Sequence, residues 1–154
     1  MREAIKEAIR GFTLGHGGPF GSVVVRQNAS GEKEIIARGH NMVIADKNPL
    51  RHGEMVAMEN ATKALKTFDL SGCDLYTTGE PCPMCLAAMM WANINNIFYG
   101  CTIEDNEKIG FRDQKFDKAL KIDRNKIPNL YQIDRDMCLI LFDEYNKSSI
   151  KKLY

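Results

Sequence analysis

Two kinds of hydrophobic spacing occur in the first 45 residues of the chain. Up to about Leu14, apolar side chains recur at every third or fourth position, which predicts an amphipathic helix. Phe20–Arg26 is rich in valine, and Glu34–Ile44 is a second run suited to a strand. The turn residues Asn28–Gly31 lie between them, so the two strands are predicted to form an antiparallel hairpin.

Helical and extended patterns then alternate. Arg51–Lys66 has helical spacing, and Asn48 with Pro49 has the features of an N-cap and a first helical residue. The next predicted elements are a strand, a helix and a strand, at Cys73–Thr78, from Cys82 onward and at Asn96–Tyr99. The order β-β-α-β-α-β predicts an α/β fold, a mixed sheet with helices on both faces.

The pattern weakens after Ile103. Charged and polar residues dominate as far as Asn129, which indicates short helices and loops above a site. Tyr131–Ile133 is predicted to add an edge strand, and Asp136–Lys147 to form a last helix. Neither a repeat nor a linker interrupts the sequence, so residues 1–154 are predicted to form a single domain with a core of its own.

The composition narrows the class of protein. The chain has 21 basic and 20 acidic residues, so it lacks the basic field that captures nucleic acid, and a nucleic-acid partner is not expected. No apolar run approaches the roughly 20 residues that span a bilayer. The charged amphipathic start is unlike a signal peptide, and five cysteines do not suit a secreted disulfide framework. These features predict a cytoplasmic protein without a membrane partner.

Two short segments contain candidate metal ligands. His52-Gly53-Glu54 supplies an imidazole and a carboxylate, and Pro81-Cys82-Pro83-Met84-Cys85 supplies two thiols. Cys82 and Cys85 are three positions apart, so both face one side of a helix that starts there. A helix N-terminus favours the thiolate form that binds metal. Two helix starts that meet above strand ends would bring His52 to these cysteines.

Three protein ligands leave one zinc position for water, whereas structural zinc sites are normally closed by four ligands. Glu54 is two residues from His52 and is placed to act as general acid and base. A CxxC pair by itself is also compatible with a redox pair or with half of a structural zinc clip. The remaining cysteines, Cys73, Cys101 and Cys138, are isolated and are predicted to be small buried hydrophobic residues. The remaining histidines, His16 and His40, are poor metal candidates.

The HxE and PCxxC pair is the signature of zinc nucleobase deaminases. Over residues 15–116 the chain resembles the cytidine and deoxycytidylate deaminase superfamily, in particular the branch that holds bacterial guanine deaminases and tRNA adenosine deaminases. The matching segments are Gly17-Gly18-Pro19-Phe20-Gly21, Asn41, His52-Gly53-Glu54, Gly79-Glu80-Pro81-Cys82-Pro83-Met84-Cys85 and Trp91-Ala92. Within that branch, four features are similar to guanine deaminases: Gly17-Gly18-Pro19-Phe20-Gly21, Trp91, Gly110-Phe111-Arg112-Asp113 and Tyr154 as the last residue.

This resemblance implies a cytidine-deaminase-like three-layer α/β/α fold with a mixed central sheet of about five strands. It implies one Zn²⁺ per chain and hydrolysis of a free purine base, guanine to xanthine and ammonia. It also implies homodimers, in which C-terminal segments can be exchanged. The implied roles are metal binding by His52, Cys82 and Cys85, catalysis by Glu54 and Asp113, and substrate binding by Asn41, Gly53, Trp91 and Tyr154.

Two positions depart from the guanine deaminase pattern. Gly53 replaces the commoner alanine, as in fungal cytosine deaminases, and Asn93 stands where arginine is usual. Three alternatives therefore stay open at the level of sequence: a tRNA adenosine deaminase, a deaminase of cytosine or another pyrimidine, and a non-catalytic protein with structural zinc.

Overall fold

Five strands form one mixed sheet in the computed structural model, which describes residues 1–154. In chain order they are β1 (Gly21–Gln27), β2 (Lys33–His40), β3 (Cys73–Gly79), β4 (Asn96–Cys101) and β5 (Leu130–Gln132). Strand β1 pairs antiparallel with β2 and with β3, whereas β3, β4 and β5 are parallel neighbours. The order β2-β1-β3-β4-β5 confirms the predicted hairpin and the mixed five-stranded sheet.

Helices cover both faces of the sheet, which confirms the predicted α/β fold class. They are α1 (Arg2–Thr13), α2 (Gly53–Leu65), α3 (Pro83–Trp91), α4 (Ile103–Lys108), α5 (Asp113–Leu120) and α6 (Arg135–Lys147), with a 3₁₀ turn at Arg124–Lys126. One apolar cluster joins α2 and α3 to β1, β3 and β4, and a second joins α1 to α6. None of these helices combines the length and the apolar character that crossing a membrane requires.

The segment between β2 and α2 differs from the prediction. Strand β2 ends at His40 instead of Ile44, because the Asn41 side chain accepts a hydrogen bond from Val43 N at 3.1 Å and turns the chain. Asn48 does not cap a helix; its Oδ1 accepts from Leu50 N at 2.9 Å and stabilises a turn. Helix α2 therefore begins at Gly53, with His52 as its N-cap.

Gly39 permits the close approach of α2 to β2. A Cβ atom at this position would lie 2.6 Å from the carbonyl oxygen of Gly53, at the start of α2. Any larger residue would push the helix start away from the sheet, since backbone atoms cannot give way as a flexible side chain can. The glycine therefore determines how closely His52 is held against the strand ends.

Candidate active site

Two helix starts bring the predicted metal ligands together. His52 is the N-cap of α2 and Cys82 is the N-cap of α3, with Cys85 in the first turn of α3. His52 Nδ1 lies 3.5 Å from Cys82 Sγ, and the ligand atoms of all three residues lie within 4.8 Å of one another. Ligands of a tetrahedral zinc ion are roughly 3.5 Å apart, so small side-chain adjustments suffice for this cluster to hold one ion.

The electrostatics of the cluster suit a cation. Hydrogen bonds from Cys85 and His52 lower the pKa of Cys82 to about 4, against the opposing effect of burial. Burial by itself would lower the pKa of His52, but the adjacent Cys82 thiolate outweighs it and raises this pKa to about 9. The hydrogen bond to Cys82, followed by burial, raises the pKa of Cys85. A divalent cation replaces the protons held here, and both sulfurs then bind as thiolates.

Glu54 lies beside this cluster and is not needed as a ligand. Its side chain is buried, with only 4% of the residue exposed, in the first turn of α2. Burial raises the pKa of Glu54 to about 7, partly offset by the charge of His52. A carboxyl group whose pKa is close to neutral can both accept and donate a proton at physiological pH.

A cavity of about 500 Å³ opens next to the cluster. His52, Glu54 and Cys82 form one part of its wall, and Asp113 and Tyr154 form another. Apolar side chains make up half of the lining. Its volume and its few convergent polar groups are typical of small-molecule sites.

Asp113 and Tyr154 reach the cavity from the C-terminal third of the chain. Asp113 is the first residue of α5, accepts a hydrogen bond from Asn106 Nδ2 at 3.1 Å, and has a pKa that is raised by burial. The Tyr154 hydroxyl accepts from Gly18 N at 3.4 Å, and its ring centroid lies 5.4 Å from that of Phe111. Burial raises the pKa of Tyr154, so its hydroxyl keeps its proton.

The other three predicted substrate residues lie outside the cavity lining. Asn41 is buried, and its Nδ2 has no hydrogen-bond partner. Gly53 is buried against the loop before β1, and a Cβ atom there would lie 2.8 Å from Phe20 O. An alanine at this position would require that backbone to shift. Trp91, the last residue of α3, is 87% exposed, and the substrate-binding roles of all three residues stay predictions.

Two buried polar residues of the cavity lining, Glu80 and Asn106, had no role assigned from the sequence. Glu80 is buried, accepts a hydrogen bond from Ile103 N at 3.0 Å and pairs with Arg124 at 3.2 Å. The only sequence signal for Glu80 is its position beside Pro81 in the cysteine motif. Asn106 lies in a polar stretch that has no motif, so nothing local distinguishes it from a surface residue.

The remaining cysteines agree with their prediction. Cys73, Cys101 and Cys138 are buried and free. His16 and His40 lie outside the metal cluster and contact each other, with His16 Nδ1 3.0 Å from His40 Nε2.

Comparison with known proteins identifies similar sequences and structures. Residues 1–101 match the family described as the cytidine and deoxycytidylate deaminase zinc-binding region. Guanine deaminase of Bacillus subtilis (strain 168) is 36% identical over 156 aligned positions, which cover 100% of this chain and 96% of that protein. An X-ray structure of guanine deaminase from Bacillus subtilis has a TM-score of 0.72 at 35% identity, covering 99% of this chain and 95% of that one. The tRNA-specific adenosine deaminase of Bacillus subtilis (strain 168) is 40% identical over 100 residues, 65% of this chain and 58% of that protein.

Proposed function

Because the chain belongs to the cytidine and deoxycytidylate deaminase family, we propose that it hydrolyses free guanine to xanthine and ammonia. The chain is a zinc-dependent hydrolytic deaminase. The assignment of guanine as its substrate rests on one comparison. Guanine deaminase of Bacillus subtilis aligns with the whole chain at 36% identity, including the C-terminal third that carries Asp113 and Tyr154 into the cavity. The tRNA-specific adenosine deaminase of the same organism aligns with 65% of the chain, and a structure of a tRNA:A34 deaminase covers 92% of it at a lower identity of 26%.

In this proposal His52, Cys82 and Cys85 hold the zinc ion. The imidazole and two sulfurs are the donor set that zinc prefers, and they already lie within 4.8 Å of one another. When bound, zinc supplies Lewis acidity that lowers the pKa of water from 15.7 to about 7.

Glu54 moves the protons. It accepts a proton from the attacking water and donates it to the ring nitrogen next to the amine-bearing carbon. The water oxygen forms the new bond to that carbon and leaves a hydroxyl group there. Glu54 then takes the hydroxyl proton and delivers it to the amine nitrogen, so the carbonyl forms as the bond from carbon to the amine nitrogen breaks. Asp113, on another part of the cavity wall, contacts the amine and assists its departure as ammonia. The sum is guanine plus water giving xanthine plus ammonia.

Tyr154 lines the cavity and positions the base, and we assign Asn41, which is buried outside the lining, a supporting role. The buried Nδ2 group of Asn41 is an unused donor, and an unpaired buried donor is costly unless a ligand satisfies it. The Tyr154 ring closes the cavity next to Phe111, which supplies an apolar face for a flat heterocycle. Gly53 brings Phe20 against the metal-binding helix, and thereby limits the space around the base.

We also infer a homodimer. Met90 and Trp91 are 67% and 87% exposed at the end of α3, and large apolar side chains side by side are typical of protein interfaces. Trp91 would then contribute to substrate binding through contact with the second subunit. Tyr154, which contacts Gly18 and Phe111, lies on the C-terminal segment that such dimers can exchange.

A tRNA adenosine deaminase is the second candidate, on the strength of the 40% identity over 100 residues. The formal net charge of +1 provides no strong basic field for an RNA, which favours the free base. The pyrimidine alternative depended on Gly53, and the contact between Gly53 and Phe20 gives that glycine another reason.

The experiment that tests the proposal measures ammonia release from the zinc-loaded protein. Guanine, adenine, cytosine, their nucleosides and an RNA hairpin are supplied in parallel. We expect turnover of guanine alone. Turnover of another base or of the hairpin would contradict the guanine assignment, and no turnover with zinc bound would contradict deamination of this whole set.

A further inference from the structure

We propose that Asn106 is a positioning residue for the reaction, and that it holds the Asp113 carboxylate in the orientation in which it meets the leaving amine. The inference rests on the proposed role of Asp113. Asn106 lies on α4, is 1% exposed and contributes to the cavity lining. Nothing in its sequence context predicts a function.

The two protons of the Asn106 amide are both engaged. Nδ2 donates to Asp113 Oδ2 at 3.1 Å and to the backbone oxygen of Glu80 at 3.4 Å. Glu80 is two residues before the metal ligand Cys82, and Asp113 is the first residue of α5. A single amide group therefore connects the carboxylate to the loop that carries the cysteines.

The acceptor side of the same amide has no partner. Asn106 Oδ1 is buried without a hydrogen bond, which is a net cost to stability. It fits only because residue 79 is glycine, since a Cβ atom there would lie 2.9 Å from Oδ1. An apolar side chain of similar volume would avoid the unpaired oxygen. The amide at this position is therefore explained by its donor side and not by stability.

Helix α5 has no buried residue of its own. Phe111 anchors the chain just before it in the apolar cluster, and Arg124 bonds Asp117 one turn further on, but neither contact reaches the Asp113 carboxylate. The hydrogen bond from Asn106 restricts rotation of the carboxylate directly. Such pre-organisation of a catalytic group is worth most in the transition state, where charge and geometry must both match.

A double-mutant cycle tests the inference. Asn106→Leu, Asn106→Ala, Asp113→Ala and the two combined variants are assayed for kcat and KM with guanine, together with zinc content and Tm. We expect Asn106→Leu and Asn106→Ala to lower kcat/KM by roughly 10- to 100-fold, the factor for a lost hydrogen bond to a charged group, mainly through kcat. In the Asp113→Ala background the same changes should alter kcat/KM less than about twofold.

Asn96→Leu is the matched control. Asn96 Nδ2 also donates to an aspartate, Asp74 Oδ1 at 2.8 Å, but this pair lies on the sheet away from the cavity. The Asn96→Leu variant should leave kcat/KM unchanged.

The outcomes separate the two proposals. Full activity of Asp113→Ala would contradict the catalytic role of Asp113 itself. A loss in Asp113→Ala without a loss in either Asn106 variant would overturn the positioning role alone. An equal loss on both backgrounds would also overturn it, because Asn106 would then act independently of Asp113.

Discussion

Two parts of the cavity wall are built in different ways. The metal-binding part consists of the starts of α2 and α3, whose Ala57, Ala61, Leu86 and Met89 are buried in the larger apolar cluster. The part that carries Asp113 is α5, which has no buried residue. Ion pairs and hydrogen bonds hold α5 instead, from Asn106 and from Arg124.

The difference separates the metal-binding groups from the groups that meet the substrate and its leaving amine. Apolar packing is non-directional but dense, so the ligand geometry around His52 tolerates little movement. Polar contacts depend on a few pairs, and each pair can be changed without removing the core. Changes to Glu54 or the metal ligands should therefore abolish turnover in a folded protein, whereas changes to the polar contacts around α5 should give smaller losses of turnover, substrate affinity or stability.

The largest effect is expected for Glu54→Gln. The amide cannot exchange protons, so kcat should fall by roughly 10²- to 10⁴-fold, the usual contribution of a general acid and base. Zinc content should stay at one ion per chain, because the three ligands are unchanged. Glu59→Gln, further along α2 and near the surface, is the control and should retain activity. A fully active Glu54→Gln enzyme with zinc bound would refute the assigned role.

Arg124→Ala should give the next largest effect. Arg124 bonds Asp117 of α5 through Nε and Nη2, at 2.5 and 2.9 Å, and Glu80 through Nη1 at 3.2 Å. Its removal leaves two carboxylates without their partner, which should cost roughly 2–3 kcal/mol because the group is mostly buried. We expect a higher KM and a Tm lower by several degrees.

Lys126→Ala provides the comparison for Arg124. It removes another cation from the same 3₁₀ turn, but its partner Asp123 is exposed. The expected change is within about 0.5 kcal/mol. Equal effects of the two variants in urea unfolding would show that Arg124 does not hold α5 against the cysteine loop.

Lowering the pH should destabilise the C-terminal third, because it protonates Asp105. This side chain is 1% exposed and accepts from Arg135 Nε and Nη2, both at 2.8 Å. Burial opposes ionisation, but the bonds from Arg135 and Lys108 outweigh it and hold the pKa of Asp105 well below its usual range. A lowered carboxyl pKa stabilises the fold above the unfolded pKa of about 3.9, and that stability is lost as the pH falls below it.

Asp105→Asn should therefore cost roughly 1–3 kcal/mol at pH 7 and progressively less towards pH 3. Urea unfolding at pH 7, 5 and 3 measures this convergence, with the exposed Asp123→Asn as control. A constant difference between wild type and Asp105→Asn at all three values would exclude ionisation of Asp105 as the cause.

The smallest effect is expected for Tyr154→Phe. The hydroxyl bond to Gly18 N is long, at 3.4 Å, and the ring contact with Phe111 is retained in the variant. KM for guanine should rise less than about threefold, since a neutral hydrogen bond contributes roughly 0.5–1.5 kcal/mol at ordinary length. A rise in KM of more than tenfold would mean that the hydroxyl contacts the substrate directly.

The sequence by itself determined the metal chemistry, because its signals are local. Cys82 and Cys85 must share a helix face at a spacing of three, and the prolines beside Cys82 favour a helix start there. The alternation of patterns also predicted the sheet and both helical layers. Where local signals competed, the prediction failed: Asn48 has the chemistry of an N-cap, but its side chain stabilises a turn and α2 starts at Gly53.

Only the tertiary structure decided which distant polar groups meet. Arg124 and Glu80 are 44 positions apart, and Tyr154 and Gly18 are 136 apart, so no spacing rule connects them. Asn106 and Asp113 are close in the chain, but their hydrogen bond depends on the space above Gly79. Backbone periodicity determines which face of an element a residue occupies, whereas long-range packing determines what that face touches.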